Sequence, residues 1–222
     1  MANKQKRDWL APPEWWRQFK PLRWLVIGLL GFGIYSWLDL GQQAVEALQE
    51  PHPETSKFTA SASNPVALIE PFKSYASVVQ VEQELAKQDL AWSTQIVRTA
   101  ATPEHPARNL DTLAISEFLH QGRAGKLTLE FFNDRLYEAV FVPANPASYA
   151  AVVHGLGLKP ELKDNGRAER IRGHQRMASN VDLAATEVGQ KIGTVPRMIW
   201  QDLRLIKQRD DWDTRFGTLA AE

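Results

Sequence analysis

The stretch Leu127-Thr-Leu-Glu-Phe-Phe-Asn-Asp-Arg-Leu-Tyr-Glu-Ala-Val-Phe-Val142 decides the fold. Its apolar residues at 127, 129 and 131 alternate with Thr128 and Glu130, which is the period of a strand with one buried face. Asn133 and Asp134 follow, two residues that tolerate the left-handed backbone of a tight hairpin turn. Apolar residues resume at Leu136, so the stretch predicts two antiparallel strands.

The segments on either side extend this hairpin. Upstream, an apolar run from Leu113 leads to a turn predicted over Gly122–Gly125, which makes three consecutive strands, a meander. Before the meander, Ser74–Lys87 predicts an amphipathic helix, with Ser77 and Gln80 as a capping box, and Trp92–Thr99 predicts a strand. After it, Ala147–His154 predicts a second helix, which stops at Gly155.

The C-terminal part has a weaker pattern. Beyond Gly166, strands are predicted over Ile171–Met177 and Met198–Lys207. The full order is helix, meander, helix and strands. We therefore expect an α+β domain whose antiparallel meander is covered by two helices.

Composition limits the classes of function. The 222 residues carry 26 basic and 26 acidic side chains, so no net charge attracts nucleic acid, which we do not expect as a partner. The chain has no cysteine, which excludes disulfides, thiolate zinc sites and cysteine nucleophiles. Its 44% hydrophobic residues suit one globular domain.

Residues 24–40 predict one transmembrane helix. They are apolar except for Asp39, and as a helix they would span about 26 Å, slightly less than a hydrocarbon core of about 30 Å. Trp24 and Trp37 match the aromatic belts at membrane interfaces. Ahead of the helix, Trp15 and Trp16 among basic residues are predicted to anchor at the headgroup level. The alternative is a cleaved signal peptide, with the mature chain starting near Leu48.

Charge sets the predicted orientation. Residues 1–23 are mainly basic, whereas 42–57 are mainly acidic, so the positive-inside rule places the N-terminus in the cytoplasm. The predicted organisation is a basic and aromatic N-terminus (1–23), the transmembrane helix (24–40), a Pro/Ser/Thr-rich tether (41–71), a periplasmic α+β domain (72–217) and a tail (218–222).

No spacing of residues predicts a catalytic, cofactor or metal site. The five histidines are scattered, no Gly-x-Ser-x-Gly elbow occurs, and His105 lies in a proline-rich loop where we expect it to be solvated. Asp210, Asp211 and Asp213 lack the spacing of a calcium loop.

Two groups of residues are candidates for interaction. One is a basic cluster that could bind an anionic lipid headgroup, a glycan or an acidic protein surface, although interleaved acidic residues also fit an ordinary mixed surface. The other is a set of tryptophans, for which burial in the core is the alternative. The candidates are Arg167, Arg170, Arg172 and Arg176 in the cluster, and Trp92, Trp200 and Trp212.

These features predict an accessory or scaffolding subunit of a bacterial cell-envelope complex. We expect it to be a non-enzymatic, single-pass inner-membrane protein that contacts other envelope proteins through its periplasmic domain. One alternative is a tethered hydrolase of cell-wall glycan, with Glu117, Glu130 and Glu138 as its first candidate carboxylates. Another is a lipid-binding or ligand-binding module with a deep apolar cavity.

Overall fold

The computed structural model describes residues 52–160 and 167–218, which belong to a unit spanning Pro51–Glu222. The predicted N-terminus, transmembrane helix and first part of the tether lie outside the described residues. So do the anchoring candidates Trp15, Trp16, Trp24 and Trp37, and most of the predicted tail. Among the described residues, no helix is both long enough and apolar enough to cross a bilayer.

A seven-stranded, fully antiparallel sheet confirms the α+β class. The strand order is β1-β2-β3-β4-β7-β6-β5. The strands are β1 (Ser93–Thr99), β2 (Arg108–His120), β3 (Arg123–Phe132), β4 (Leu136–Pro143), β5 (Ala168–Arg172), β6 (Gln175–Ser179) and β7 (Met198–Asp202). The helices are α1 (Thr55–Thr59), α2 (Val78–Lys87), α3 (Pro146–Gly155), α4 (Val181–Ala185), α5 (Glu187–Lys191) and α6 (Leu203–Phe216).

One face of the sheet, the inner face, carries the main core. Leu113, Leu129, Ala139, Trp200 and Met177 lie opposite one another in turn across five strands, and all five are buried. The predicted helices α2 and α3 pack on this row through Val81, Leu85, Tyr149 and Val153. Side chains of the main core therefore fill the space between these two helices and the row.

The meander is confirmed, with one correction at its first turn. Gln121 and Gly122 have φ of 50° and 71°, and Arg123 already belongs to β3, so the turn comes before the predicted Gly122–Gly125. A two-residue hairpin turn with positive φ at both positions matches the twist of the flanking strands. Asn133 and Asp134 (φ 49° and 57°) form the second turn as predicted. The capping box of α2 is also present.

Two predicted strands are wrong over part of their length. Ile171–Met177 is a hairpin of β5 and β6, because Gly173 adopts φ of 58° and reverses the chain. Met198–Lys207 is a strand only as far as Asp202, whose carboxylate accepts a hydrogen bond from the N–H of Arg204 and caps α6.

A second, smaller cluster packs α1 and α6 against the end of the meander. Its members are Phe58, Phe132, Tyr137, Leu205, Trp212 and Phe216. Phe58, together with Leu68 and Ile69 of the main core, comes from the segment that the sequence assigned to the tether. The domain therefore begins upstream of the predicted boundary at residue 72.

Candidate functional site

An open groove of about 1290 Å³ lies where β5, β6 and β7 meet α4 and α5. Its floor includes Ala178 and Ile199, which are directly opposite each other on neighbouring strands. These two side chains belong to the outer face of the sheet, away from the main core, because side chains alternate between faces along a strand. Leu183, Val188 and Ile192 form the opposite wall.

The groove carries an unusual amount of exposed apolar surface. Val188 is 63% exposed and Ile192 is 68% exposed. Outside the groove lining, Ile171 opposite Arg176 and Val195 beyond α5 are also more than half exposed. Exposed apolar side chains gathered at a concave site, with polar groups around them, are typical of a surface that binds a partner.

Hydrogen bonds between residues close in sequence hold the α4–α5 wall in position. The Thr186 hydroxyl caps α5 by accepting from the Gly189 N–H at 3.0 Å, and it donates to the Leu183 carbonyl at 2.7 Å. A Cβ atom at Gly189 would lie 2.0 Å from that carbonyl oxygen, so only glycine fits there. The Asn180 side chain closes the loop beyond α5 by donating to the Val195 carbonyl and accepting from the Arg197 N–H. The groove is therefore preformed.

The charge of the groove is predominantly positive. Arg167, Arg176 and Arg197 line it, against one carboxylate, Glu169. The hydrogen bond from Arg176 to Glu169, 2.7 Å from Nε to Oε1, lowers the pKa of that carboxyl and keeps it ionised. Arg197 forms no ion pair with any residue in the described part of the chain. Such a groove favours ligands that carry carboxylates or phosphates.

A row of hydrogen bonds across the outer face positions Arg176. Its guanidinium donates to the Gln201 side-chain oxygen at 2.7 Å, and Gln201 donates in turn to Glu138. Glu138 lies opposite Glu130, which accepts a hydrogen bond of 2.5 Å from the Tyr137 hydroxyl. The row therefore connects the meander to the groove and limits the motion of Arg176.

Two of the three candidate carboxylates of the hydrolase alternative, Glu130 and Glu138, lie opposite each other on neighbouring strands. Burial raises the pKa of Glu138, the hydrogen bond from Gln201 opposes that rise, and the Glu130 charge adds to it. Neither Glu130 nor Glu138 lines the groove. Glu117 lies apart from them, exposed at the bulge in β2 between Ile115 and Phe118. Glu130 and Glu138 are thus neighbours on the sheet, hydrogen-bonded to Tyr137 and Gln201 respectively, and Glu117 does not join them.

The predicted basic cluster is divided by the sheet. Arg167 and Arg176 line the groove, whereas Arg170 and Arg172 face the other side of β5, opposite Met177 and Gln175. The reason is the alternation of side chains along a strand, which a count of charges in sequence ignores. Arg197 was not predicted, because only the α4–α5 connection brings it near Arg176.

The alternative of burial in the core applies to Trp200 and Trp212, which are 3% and 0% exposed. Trp200 packs in the main core, with its ring centroid 5.3 Å from that of His120. Trp212 packs in the second cluster and donates from Nε1 to the Pro106 carbonyl at 3.2 Å. His105, expected to be solvated, is buried against Trp212. Trp92 is partly buried and donates to Glu82.

No group of three or more His, Asp or Glu side chains within residues 52–160 and 167–218 is placed to hold a metal ion. No protein-family profile matches the chain, and no curated protein sequence matches it. Its function must be inferred from the groove and from the sequence.

Proposed function

We propose that this chain is a membrane-anchored accessory subunit of a bacterial cell-envelope complex, and that its groove binds a partner protein. The observation that carries the proposal is the preformed groove with exposed Val188 and Ile192 beside three arginines. The anchor predicted over residues 24–40 and the basic segment before it support a periplasmic position for the domain.

The chemistry of the groove defines the kind of partner segment. Covering Val188 and Ile192 would remove apolar surface from water, worth about 1.5–3 kcal/mol for each side chain that becomes fully buried. The guanidinium of Arg176, already oriented by its bonds to Glu169 and Gln201, can donate further hydrogen bonds to a carboxylate of the partner. We infer a partner segment that presents apolar side chains next to Asp or Glu.

The two alternatives have less support. A glycan hydrolase needs two carboxylates facing a substrate cleft, whereas Glu130 and Glu138 are both hydrogen-bonded within the sheet and lie outside the groove. A lipid carrier needs an apolar cavity between helices and sheet, where this domain packs the side chains of its main core.

Copurification from gently solubilised membranes tests the proposal. We expect Ile192→Glu to reduce recovery of a specific envelope partner about tenfold or more, since burying an unpaired charge opposes binding by over about 1.4 kcal/mol. Val79→Glu is the matched control, because Val79 is 58% exposed on α2 and does not line the groove. It should leave recovery unchanged.

Arg197→Glu is a second test variant, because it reverses the charge of a groove arginine without adding a charge to the apolar wall. It should also weaken copurification, and more so at low ionic strength, where the attraction is least screened. Equal recovery of the same proteins by the wild-type chain, both groove variants and the control would contradict the proposal.

A further inference from the structure

The two edges of the sheet differ in their protection against strand pairing. The β5 edge is short, Ala168–Arg172, and carries Glu169, Arg170 and Arg172. Charges and short length are the usual devices that prevent an edge from pairing with another chain. The β1 edge, Ser93–Thr99, is longer and has one charged residue, Arg98, and no proline. Only one of the two edges is protected.

No strand in the described part of the chain pairs with the outer side of β1. Its seven residues pair with β2 without a register shift, and six of them are exposed. Ile96 is 51% exposed and Val97 is 47% exposed, on opposite faces of the strand. Because N–H and C=O groups point alternately to either side of a strand, three or four residues present theirs away from β2. An added antiparallel strand would satisfy them.

We propose that β1 pairs with β1 of a second copy of this chain, antiparallel and centred on Ile96. This surface is separate from the groove, at the opposite end of the strand order. The sequence Ser-Thr-Gln-Ile-Val-Arg-Thr is self-complementary in that register. Ile96 lies opposite Ile96, Gln95 opposite Val97, and Thr94 opposite Arg98, so β-branched side chains meet at the centre and no like charges face each other.

Other arrangements of two copies fit less well. A parallel pairing in register would place Arg98 beside Arg98, where like charges destabilise the pair. The antiparallel pairing separates these arginines by four positions along the strands, or about 13 Å. It also creates a closed two-fold interface, the commonest symmetry of homo-oligomers, and it leaves neither β1 edge free to recruit further strands.

Cysteine cross-linking tests the pairing directly, because the chain has no cysteine of its own. The full-length chain with Ile96→Cys is oxidised in its native membranes. Opposed residues lie within the Cα separation of about 4.4–6.8 Å that a disulfide requires, so we expect at least about fivefold more covalent dimer than from Leu119→Cys. Leu119 is similarly exposed but lies on the hairpin, away from β1.

Arg98→Cys distinguishes the register. It should form no more dimer than Leu119→Cys, because the two-fold pairing keeps residues 98 far apart. An Ile96→Cys yield no higher than that of Leu119→Cys would overturn the proposal, as would equal dimer yields from positions 96 and 98. Cross-linking of position 96 to a different protein would also overturn it, since β1 would then serve a heterologous partner.

Discussion

Replacing Asp202 with alanine is expected to lower the free energy of unfolding by about 3 kcal/mol. Asp202 is fully buried at the junction of β7 and α6. Its carboxylate accepts from the Ser74 hydroxyl at 2.8 Å and from the Arg204 guanidinium at 2.6 Å, besides capping α6. Alanine removes the cap and leaves the Ser74 hydroxyl without its acceptor.

The way in which the free energy of unfolding falls at acid pH identifies the contribution of this carboxylate. Burial alone would raise the pKa of Asp202, but the hydrogen bonds from Arg204 and Ser74 outweigh it, and the pKa lies below its usual value. The ionised carboxylate therefore stabilises the fold fully at pH values above its unfolded-state pKa of about 3.9. This stabilisation is lost as the pH falls through the lower pKa of the folded state.

Urea unfolding followed by tryptophan fluorescence measures the effect of Asp202→Ala. The difference in the free energy of unfolding between the variant and wild type should be constant near neutral pH and should become smaller in strong acid. Asp210→Ala is the control, because that carboxylate is exposed and its one ion pair among the described residues is with its neighbour Arg209. A change no larger than that of the control would show that Asp202 is dispensable.

Arg135→Met is expected to destabilise the domain by a similar amount, about 3 kcal/mol. The Arg135 residue is 5% exposed and forms no ion pair with any residue of the described ranges. It donates instead to the carbonyls of Phe58 and Ala60 and to the Gln208 side chain. Methionine keeps much of the apolar volume but removes all of these hydrogen bonds from a buried guanidinium, and the Phe58 carbonyl retains only the bond from the Asn133 side chain at 3.0 Å.

Limited proteolysis separates this effect from a general loss of packing. Arg135 holds the segment around α1, so the variant should be cut near Phe58 at protease concentrations that leave wild type intact. Arg98→Met is the control, because the Arg98 side chain is 63% exposed on the edge strand. Protection near Phe58 equal to wild type would contradict the role given to Arg135.

The alternation of apolar and polar residues at every second position made the meander predictable. The buried Leu127, Leu129 and Phe131 alternate with more exposed neighbours along β3, as half-buried strands require. The Asn133-Asp134 turn and the capping box of α2 were equally readable, because each depends on a few residues that are close in sequence.

The start of α6 was misread because a strand and a helix can share a short apolar pattern. Leu203 and Leu205 alternate with Arg204 as in a strand, although they are out of phase with the buried Met198 and Trp200 of β7 and already belong to the helix. The helical pattern appears only over a longer window, where Leu205, Trp212 and Phe216 are buried on one side. The same geometry turns Asp210 and Asp213 outward while burying Trp212 between them in sequence.

The groove could not be predicted, because it is assembled from contacts between distant parts of the chain. Arg176 and Arg197 come together only after α4 and α5 fold back along the sheet. The spacing of apolar residues along the sequence does not indicate that arrangement. It depends on the close approach of Gly189 to Leu183 and on the two hydrogen bonds of the Asn180 side chain. The exposed β1 edge likewise becomes visible only from the strand order.

Photo-cross-linking in intact cells tests the proposed subunit role most directly. A photoreactive amino acid replaces Ile192 in the full-length chain, and the same residue in place of the exposed Val79 on α2 serves as the control. We predict a light-dependent adduct between position 192 and one cell-envelope protein, absent from position 79. Adducts only with cytoplasmic proteins, or identical products from both positions, would contradict a periplasmic subunit that binds its partner through the groove.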